Sequence, residues 1–482
     1  MYINDKILIG KNNDDEAYIL PNMANRHGII TGASGSGKTI TLKVMAESFS
    51  DCSIPVLLID VKGDLAGLAI KGEDSINIQN RINSLNLENF EFKSYPTHFW
   101  DIYGKFGHPI RTTISNIGYK LLSRMLNLTS TQEGVLAIIF KIASDENIEI
   151  VDLKDLRNLI NYIGEKRKDY TLKYGNISLQ SIGAIGRGLI ALEEEGGDYF
   201  FGKPSFNIKD FIKYNGDDGR GFINILDATT LFKKPTLYAS FLLWILDSLY
   251  NEMPEVGDLN KPKLVFFIDE AHLLFSEMPD YMIKNIVSIV KLIRSKGIGI
   301  YFISQSPSDI PNEVLSQLGN RVQHVLRYYT KSDESAIKAA CNSFRENPLF
   351  NTMDEIKSLE TGEALVSFLN DVGEPSIVSK VTILPPQSKI GTIDLDTRNN
   401  IIKNDMFYNK YEKKISTEDI TLKFNNKTDV KENNRFLKKE SEVKTTRKKK
   451  SSLEKATAKV TNSALNTLGR KIGNSIFKGL FK

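Results

Sequence analysis

The stretch Gly32-Ala-Ser-Gly-Ser-Gly-Lys-Thr39 constrains this chain more than any other. It reads G-x-x-x-x-G-K-T, the phosphate-binding loop of nucleoside triphosphatases. The flanks suit that reading. His27-Gly-Ile-Ile-Thr31 is a short apolar run of the kind a buried strand makes, and Leu42, Met45, Ala46 and Phe49 recur at helical spacing after the loop. Strand, glycine loop and helix are what the chemistry needs. With glycine at 32, 35 and 37, the backbone N–H groups of the loop, those of Ser34 and Ser36 included, can curl round a phosphate. The helix start adds partial positive charge. Lys38 then reaches the β- and γ-phosphates, and the Thr39 hydroxyl coordinates Mg²⁺. ATP and Mg²⁺ are the expected ligands.

Phosphate binding alone is not hydrolysis, and a second motif supplies the rest. Lys263-Leu-Val-Phe-Phe-Ile-Asp-Glu270 reads as a buried strand ending in two carboxylates. Asp269 is placed to hold Mg²⁺ through water or Thr39. Glu270 is placed to polarise a water for in-line attack on the γ-phosphate. The next strand, Gly299 to Gln305, ends in a polar residue, and Gln305 there can sense the γ-phosphate or the attacking water. Three arginines are candidates to neutralise transition-state charge: Arg294 before that strand, and Arg321 and Arg327 in the strand after it. Sequence leaves open which one acts, and whether it acts within its own subunit. His324 in the same strand reads as a packed residue.

The remaining pattern is α/β. Lys6–Gly10 and Ala17–Leu20 flank a polar turn and read as a hairpin. Val56–Asp60 and Gly221–Asp227 are further buried strands, and Val61-Lys-Gly-Asp64 is a loop at a strand's carboxyl end, where open α/β sheets bind ligands. Helical periodicity covers Thr113–Leu126, Gln132–Ala143, Leu153–Ile163, Ser181–Glu195, Thr236–Tyr250 and Met282–Ser295, while Phe90–Trp100 has room for one strand. Glu363–Leu369 can close the sheet. Strands alternating with helices give a parallel sheet. The chain therefore divides into 1–64, a hairpin and the first part of the nucleotide-binding core; 65–218, a mainly helical insertion; 219–390, the second part of the core; and 391–482, a basic tail.

Composition matters most for that tail. The formal charge of +4 hides 21 Lys/Arg against 9 Asp/Glu from Ile401 onward, which makes the tail +12 and the preceding chain −8. A basic tail on an acidic body points to a polyanionic partner, DNA or an anionic membrane surface. Asn399–Ser452 is polar and lysine-rich, with partial disorder expected. Leu453–Lys482 regains periodicity through Leu468, Ile472, Ile476 and Leu480, as a basic amphipathic helix suited to a partner or to peripheral membrane contact. The start of the chain lacks the pattern of a signal peptide, and no apolar run approaches the ~18 residues of a membrane span, so a cytoplasmic protein is expected. Cys52 and Cys341 form no metal-ligand spacing.

These residues resemble a family. Gly32–Thr39, Asp60-Val-Lys-Gly-Asp64, Lys261–Phe275, Ile293-Arg-Ser-Lys-Gly297 and Ser304-Gln-Ser-Pro307 look like the HerA–FtsK branch of P-loop ATPases. Gly319–Arg327 and Gly362–Phe368 sharpen the likeness to bacterial HerA-helicase-like (YjgR-type) proteins. The resemblance implies a RecA-like core, assembly into a hexameric ring and ATP-driven movement along DNA. It places Lys38, Thr39, Asp269, Glu270 and Gln305 in the roles given above. One departure concerns the β-barrel that HerA carries before its P-loop to dock a nuclease: the roughly thirty residues before Gly32 are too few to hold it, so the resemblance does not by itself imply a nuclease partner. Two alternatives stay open, a motor acting on protein or at a membrane, as in secretion and conjugation, and a slow nucleotide-dependent switch.

Overall fold

The computed structural model describes residues 1–12, 15–275, 280–327 and 331–415. Their strands join one sheet. In chain order they are β1 (Tyr2–Ile3), β2 (Lys6–Asn12), β3 (Asp15–Ile19), β4 (Gly28–Thr31), β5 (Val56–Asp60), β6 (Thr97–Asp101), β7 (His108–Pro109), β8 (Ile223–Asp227), β9 (Leu264–Ile268), β10 (Ile298–Ser304), β11 (Asn320–Gln323), β12 (Glu363–Ser367) and β13 (Ser379–Ile383). A parallel core runs in the spatial order β11-β4-β10-β9-β5-β8-β6-β7. Beyond β11 the sheet continues antiparallel through β12, β13 and β2, and β1 and β3 pair with β2. The expected hairpin near the start of the chain is β2 and β3.

The sequence explains the middle of this sheet. β5, β9 and β10 are buried along their whole length. A strand covered on both faces loses its polar alternation and reads as a continuous apolar run, as these three do. Parallel neighbours need crossovers. Helices Lys38–Asp51, Pro235–Glu252 and Asp280–Ile293 lie on the connections that follow β4, β8 and β9. Phe49 of the first helix packs on Phe267 of β9 and Tyr301 of β10, with ring centroids 6.0 and 5.8 Å apart. That contact locks the helix after the glycine loop onto the strands that carry the candidate carboxylates and Gln305.

Residues 65–218 combine sheet and helix. β6 and β7 extend the parallel core, so Phe90–Trp100 does contribute a strand through its last residues. Thr97 and His98 obscure β6 in the sequence because both are polar, yet both are buried. From Ile114 to Phe200 the segment is helical. Helix Ser130–Asp145 packs on Ile114–Met125 and on Leu179–Glu194, and Ile114–Met125 rests on Pro235–Glu252. Local capping sets these starts: Asp152 accepts from the Asp155 N–H, and Thr129 forms a reciprocal box with Gln132.

The folded chain runs on past Pro385-Pro386, where the sequence marks an exit. The backbone N–H groups of Gln387 and Ser388 donate to the buried Glu47 carboxylate at 2.8 and 3.0 Å. Helix Leu395–Asn404 then crosses to the β6 and β8 side. Arg398 donates to Asp227 Oδ2 at 2.9 Å, with both side chains buried. His98 Nδ1 lies 2.6 Å and His108 Nε2 3.3 Å from Asp405 Oδ2. Burial pushes the Asp405 carboxyl up, but the hydrogen bonds from His108 and His98 outweigh it and hold the group below the usual carboxylate range. The remainder of the basic tail, including the amphipathic stretch Leu453–Lys482, lies outside the described residues.

Arg398→Ala leaves Asp227 a buried carboxylate without its guanidinium. Removing one partner of such a pair costs about 3–5 kcal/mol, which a denaturant titration would read directly. A loss below about 1 kcal/mol, the scale of an exposed pair, would show that the segment from Gln387 to Ile415 does not depend on this contact.

Candidate functional site

Three adjacent strands end together. In register, Thr31 of β4 faces Ser304 of β10, and Phe302 of β10 faces Ile268 of β9. The chain leaving β4 is the loop Gly32–Thr39, the chain leaving β9 is Asp269-Glu270, and the chain leaving β10 is Gln305. All three therefore emerge at the carboxyl edge of the parallel core.

Each loop is fixed locally. Gly37 adopts φ +111° and starts helix Lys38–Asp51. Gly35 adopts φ +75° and is exposed with Ser34, whereas Ser36 is buried. Among the described residues the Ser36 hydroxyl has no hydrogen-bond partner. Lys38 Nζ donates to the carbonyls of Gly32 at 2.6 Å and Ala33 at 3.0 Å, within its own loop. Burial pushes its ammonium below the usual lysine range, opposed first by the Glu270 charge. Thr39 is half-buried at the first turn of the helix. Just past β10, Asp309 accepts from the Ser304 hydroxyl at 2.5 Å and from the Ser306 N–H at 3.0 Å, and this tight turn presents an exposed Gln305.

The two carboxylates differ. Asp269 is buried, which pushes its carboxyl up to about 6, and its Oδ1 accepts from the Glu270 N–H at 2.9 Å. Glu270 takes φ +47°, a left-handed conformation that side chains other than glycine adopt at a cost of about 1–3 kcal/mol. Its Oε1 lies 2.7 Å from Lys62 Nζ, and its Oε2 lies 3.3 Å from His272 Nδ1. Burial raises the Glu270 carboxyl, but the Lys62 hydrogen bond and charge outweigh this and leave it below its ordinary value.

Two residues gain a role from the geometry. His324 is fully buried behind the loop, with burial pushing its imidazole down to about 4. Being neutral, it donates from Nδ1 to the Glu363 carbonyl at 2.8 Å, so Nε2 accepts from the Thr41 hydroxyl at 2.8 Å. It thus ties β12 to the loop helix. Thr31 is held likewise, donating to Gln323 Oε1 at 2.6 Å. The sequence showed His324 only as a polar residue in an apolar strand; nothing in its spacing pointed to Thr41.

The arginines separate. Arg294 precedes β10, at the opposite edge of the sheet from the loop, and donates to Asp258 at 3.0 Å. Arg321 sits early in β11 and donates to the carbonyls of Leu318 at 3.1 Å and Leu315 at 3.2 Å. The fold of one chain brings neither to the glycine loop. Arg327 is exposed, two residues beyond Val325, whose carbonyl accepts from the Ala33 N–H at 2.8 Å. Of the three, Arg327 lies on the loop's side of the sheet.

The family model described as helicase HerA-like C-terminal matches residues 5–481. The chain belongs to that family. Among its HerA relatives, the DNA double-strand break repair helicase HerA of Sulfurisphaera tokodaii is 26% identical over 383 residues, 77% of this chain and 68% of that protein. The HerA of Saccharolobus solfataricus is 24% identical over 392 residues, 80% of this chain and 67% of its own length. Two solved structures of the plasmid coupling protein TrwB, one with the non-hydrolysable GTP analogue GDPNP and one with sulphate, give TM-scores of 0.51 and 0.50 at 14% identity. They cover 78% of this chain and 88% and 90% of theirs. That likeness is one of fold, and the HerA-like core here is a RecA-like P-loop ATPase core.

A side chain at position 32 would break the cradle. Gly32 holds φ +153°, and a Cβ there would stand 2.5 Å from His324 Cβ and 2.8 Å from Ser36 Oγ. Gly32→Ala is expected to keep its helical circular dichroism and lose nucleotide affinity by about tenfold or more, the scale of a lost charge-assisted contact. Titration with a fluorescent nucleotide checks this; wild-type affinity would mean that the loop does not carry the phosphates.

Proposed function

We propose that this ATPase motor is a DNA translocase or helicase that works as a ring oligomer, a hexamer on the family's pattern. The observation that carries the hydrolytic half is the placement of Asp269-Glu270 and Gln305 on strands in register beside the glycine loop. The residues suit their ligands. Among the described residues the buried Ser36 hydroxyl lacks a partner and Lys38 is bonded to its own loop's carbonyls, which fits a cradle for phosphate oxygens. Thr39 and Asp269 would hold Mg²⁺, which offsets the phosphate charge when bound. Lys38 and the loop N–H groups bind and orient the triphosphate of ATP. Glu270 accepts a proton from a water aligned with the γ-phosphorus, and the bond from that phosphorus to the bridging oxygen breaks, releasing phosphate and ADP. Gln305, one strand away, orients that water. Because Arg294 and Arg321 lie away from the loop of their own chain, either would act only on a neighbour's nucleotide, whereas Arg327 would serve the site from its own side.

The DNA half rests on the HerA relatives, named for DNA double-strand break repair, and on charge. The stretch from Ile401 carries +12 against −8 for the rest. The acidic body leaves the polyphosphate backbone to that tail or to a local basic channel. No helix among the described residues is long and apolar enough to cross a membrane. Cytoplasmic location, and peripheral membrane contact through Leu453–Lys482, belong to the proposal.

Glu270→Gln is expected to bind ATP no more weakly than wild type while hydrolysis falls about 10²-fold or more, because the proton acceptor is removed. Lys38→Ala should weaken binding and turnover together. Near-normal turnover in Glu270→Gln would reject the assignment. Wild-type turnover should rise when duplex or single-stranded DNA is added, and the gain should shrink as salt is raised. A rate indifferent to DNA would favour a motor acting on protein or at a membrane, or a slow switch.

A further inference from the structure

Lys62 is a second cation at the edge of the nucleotide site, and it rests on the carboxylate proposed to activate water. The sequence places it in the loop leaving β5, and the fold holds that loop rigidly. Asp60, at the end of β5, accepts from the N–H groups of Lys62 at 3.2 Å, Gly63 at 2.6 Å and Leu65 at 3.1 Å. Gly63 turns the chain with φ +79°. The Asp60 carbonyl accepts from the Ala228 N–H at 2.8 Å, which ties the loop to the end of β8 as well. The backbone of residue 62 is thus fixed while its side chain is about half exposed, at 47% against 12% for Glu270. Lys62 Nζ lies 2.7 Å from Glu270 Oε1, and it is close enough to Lys38, Asp269 and Asp64 for their charges to be felt.

This arrangement sets two demands on one ammonium. Glu270, in its left-handed backbone, points a carboxylate at Lys62. A γ-phosphate bound beside Lys38, whose ammonium already feels the Lys62 charge, would bring more negative charge than a single carboxylate. A flexible four-carbon stem on a fixed backbone can serve either anion but not both fully. We propose that Lys62 is a triphosphate-dependent clamp: it pairs with Glu270 when the site lacks a γ-phosphate, and moves onto the γ-phosphate when ATP is bound, freeing Glu270 to take a proton from water. Lys62 is then a positioning residue for Glu270 and a contact for the γ-phosphate. The inference rests on the reading of Gly32–Thr39 and Asp269-Glu270 as the ATP site. It goes beyond that reading in making the partner of the Lys62 ammonium depend on which nucleotide is present.

The test is a double-mutant cycle on the full-length chain, with Kd measured for ADP and for a non-hydrolysable ATP analogue, both with Mg²⁺. Lys62→Ala should hold ADP within about twofold of wild type and lose affinity for the triphosphate analogue by about tenfold, the scale of one charge-assisted hydrogen bond. Lys62→Arg should recover most of the loss. Glu270→Gln releases Lys62 from its competing partner, so it should bind the analogue several-fold more tightly than wild type. That gain should vanish when Lys62→Ala is also present. A gain of equal size with and without Lys62 would mean that Glu270 merely repels the phosphate, and would overturn the clamp. So would a triphosphate-to-diphosphate ratio in Lys62→Ala equal to that of wild type. Lys38→Ala separates the two levels of the argument. If it retains full affinity for both nucleotides, the site assignment itself fails. If it loses both while Lys62→Ala leaves the triphosphate-to-diphosphate ratio unchanged, only the clamp fails. Unchanged thermal unfolding of Lys62→Ala, expected for a half-exposed side chain, keeps the reading free of misfolding.

Discussion

The site depends on the parallel pairing of β4, β10 and β9. Backbone hydrogen bonds fix their register, and register decides which residues leave the sheet side by side. A slip of one residue in β10 would turn every side chain of that strand to the opposite face and withdraw Gln305 from the glycine loop. The pairing is protected by burial. Phe49, Phe267 and Tyr301 meet within about one ring's width of each other across the helix and two of these strands. Buried apolar area of this kind contributes roughly 25 cal/mol per Å², so the chemistry sits on a well-buried part of the core.

Charge is arranged on that frame with little spare solvent. Asp60 spends its oxygens on backbone N–H groups, Asp269 on one, and Glu270 on Lys62. Lys38 rests on its own loop. In this state Lys62 and Glu270 form an ion pair while the other charges rest on backbone groups, and an incoming triphosphate must redistribute these contacts. Fixed dipoles and a few movable ammonium groups accomplish that at lower cost than a site that had to be built from mobile loops.

Much of this was legible in the sequence because it is local. The glycine loop, the strand ending Asp269-Glu270 and the strand ending at Gln305 each announce themselves within eight or so residues, and the continuous apolar runs of β5, β9 and β10 mark strands buried on both faces. What stayed hidden is long-range. β6 carries buried polar residues, and one of them, His98, pairs with Asp405 about three hundred positions away. The strap from Gln387 to Ile415 reads as polar chain because its anchoring residues, Arg398 and Asp405, are charged and satisfied only in three dimensions. The arginines were readable as candidates but not as positions. Arg294 and Arg321 belong to strand starts, and only a topology shows that a strand's start and the loop lie at opposite edges of a parallel sheet. Lys62 was visible in its motif, yet its contact with Glu270 requires β5 and β9 to be neighbours.

The most direct test of the central claim is a structure of the Glu270→Gln protein with ATP and Mg²⁺, the substitution serving to preserve the triphosphate. The account expects the β- and γ-phosphates within hydrogen-bond reach of Lys38 Nζ and the N–H groups of residues 35–39. It also expects Mg²⁺ beside Thr39 and Asp269, with Gln305 facing the γ-phosphate. ATP bound elsewhere on the chain, or bound at the glycine loop with Asp269 and Gln305 turned away from it, would contradict it.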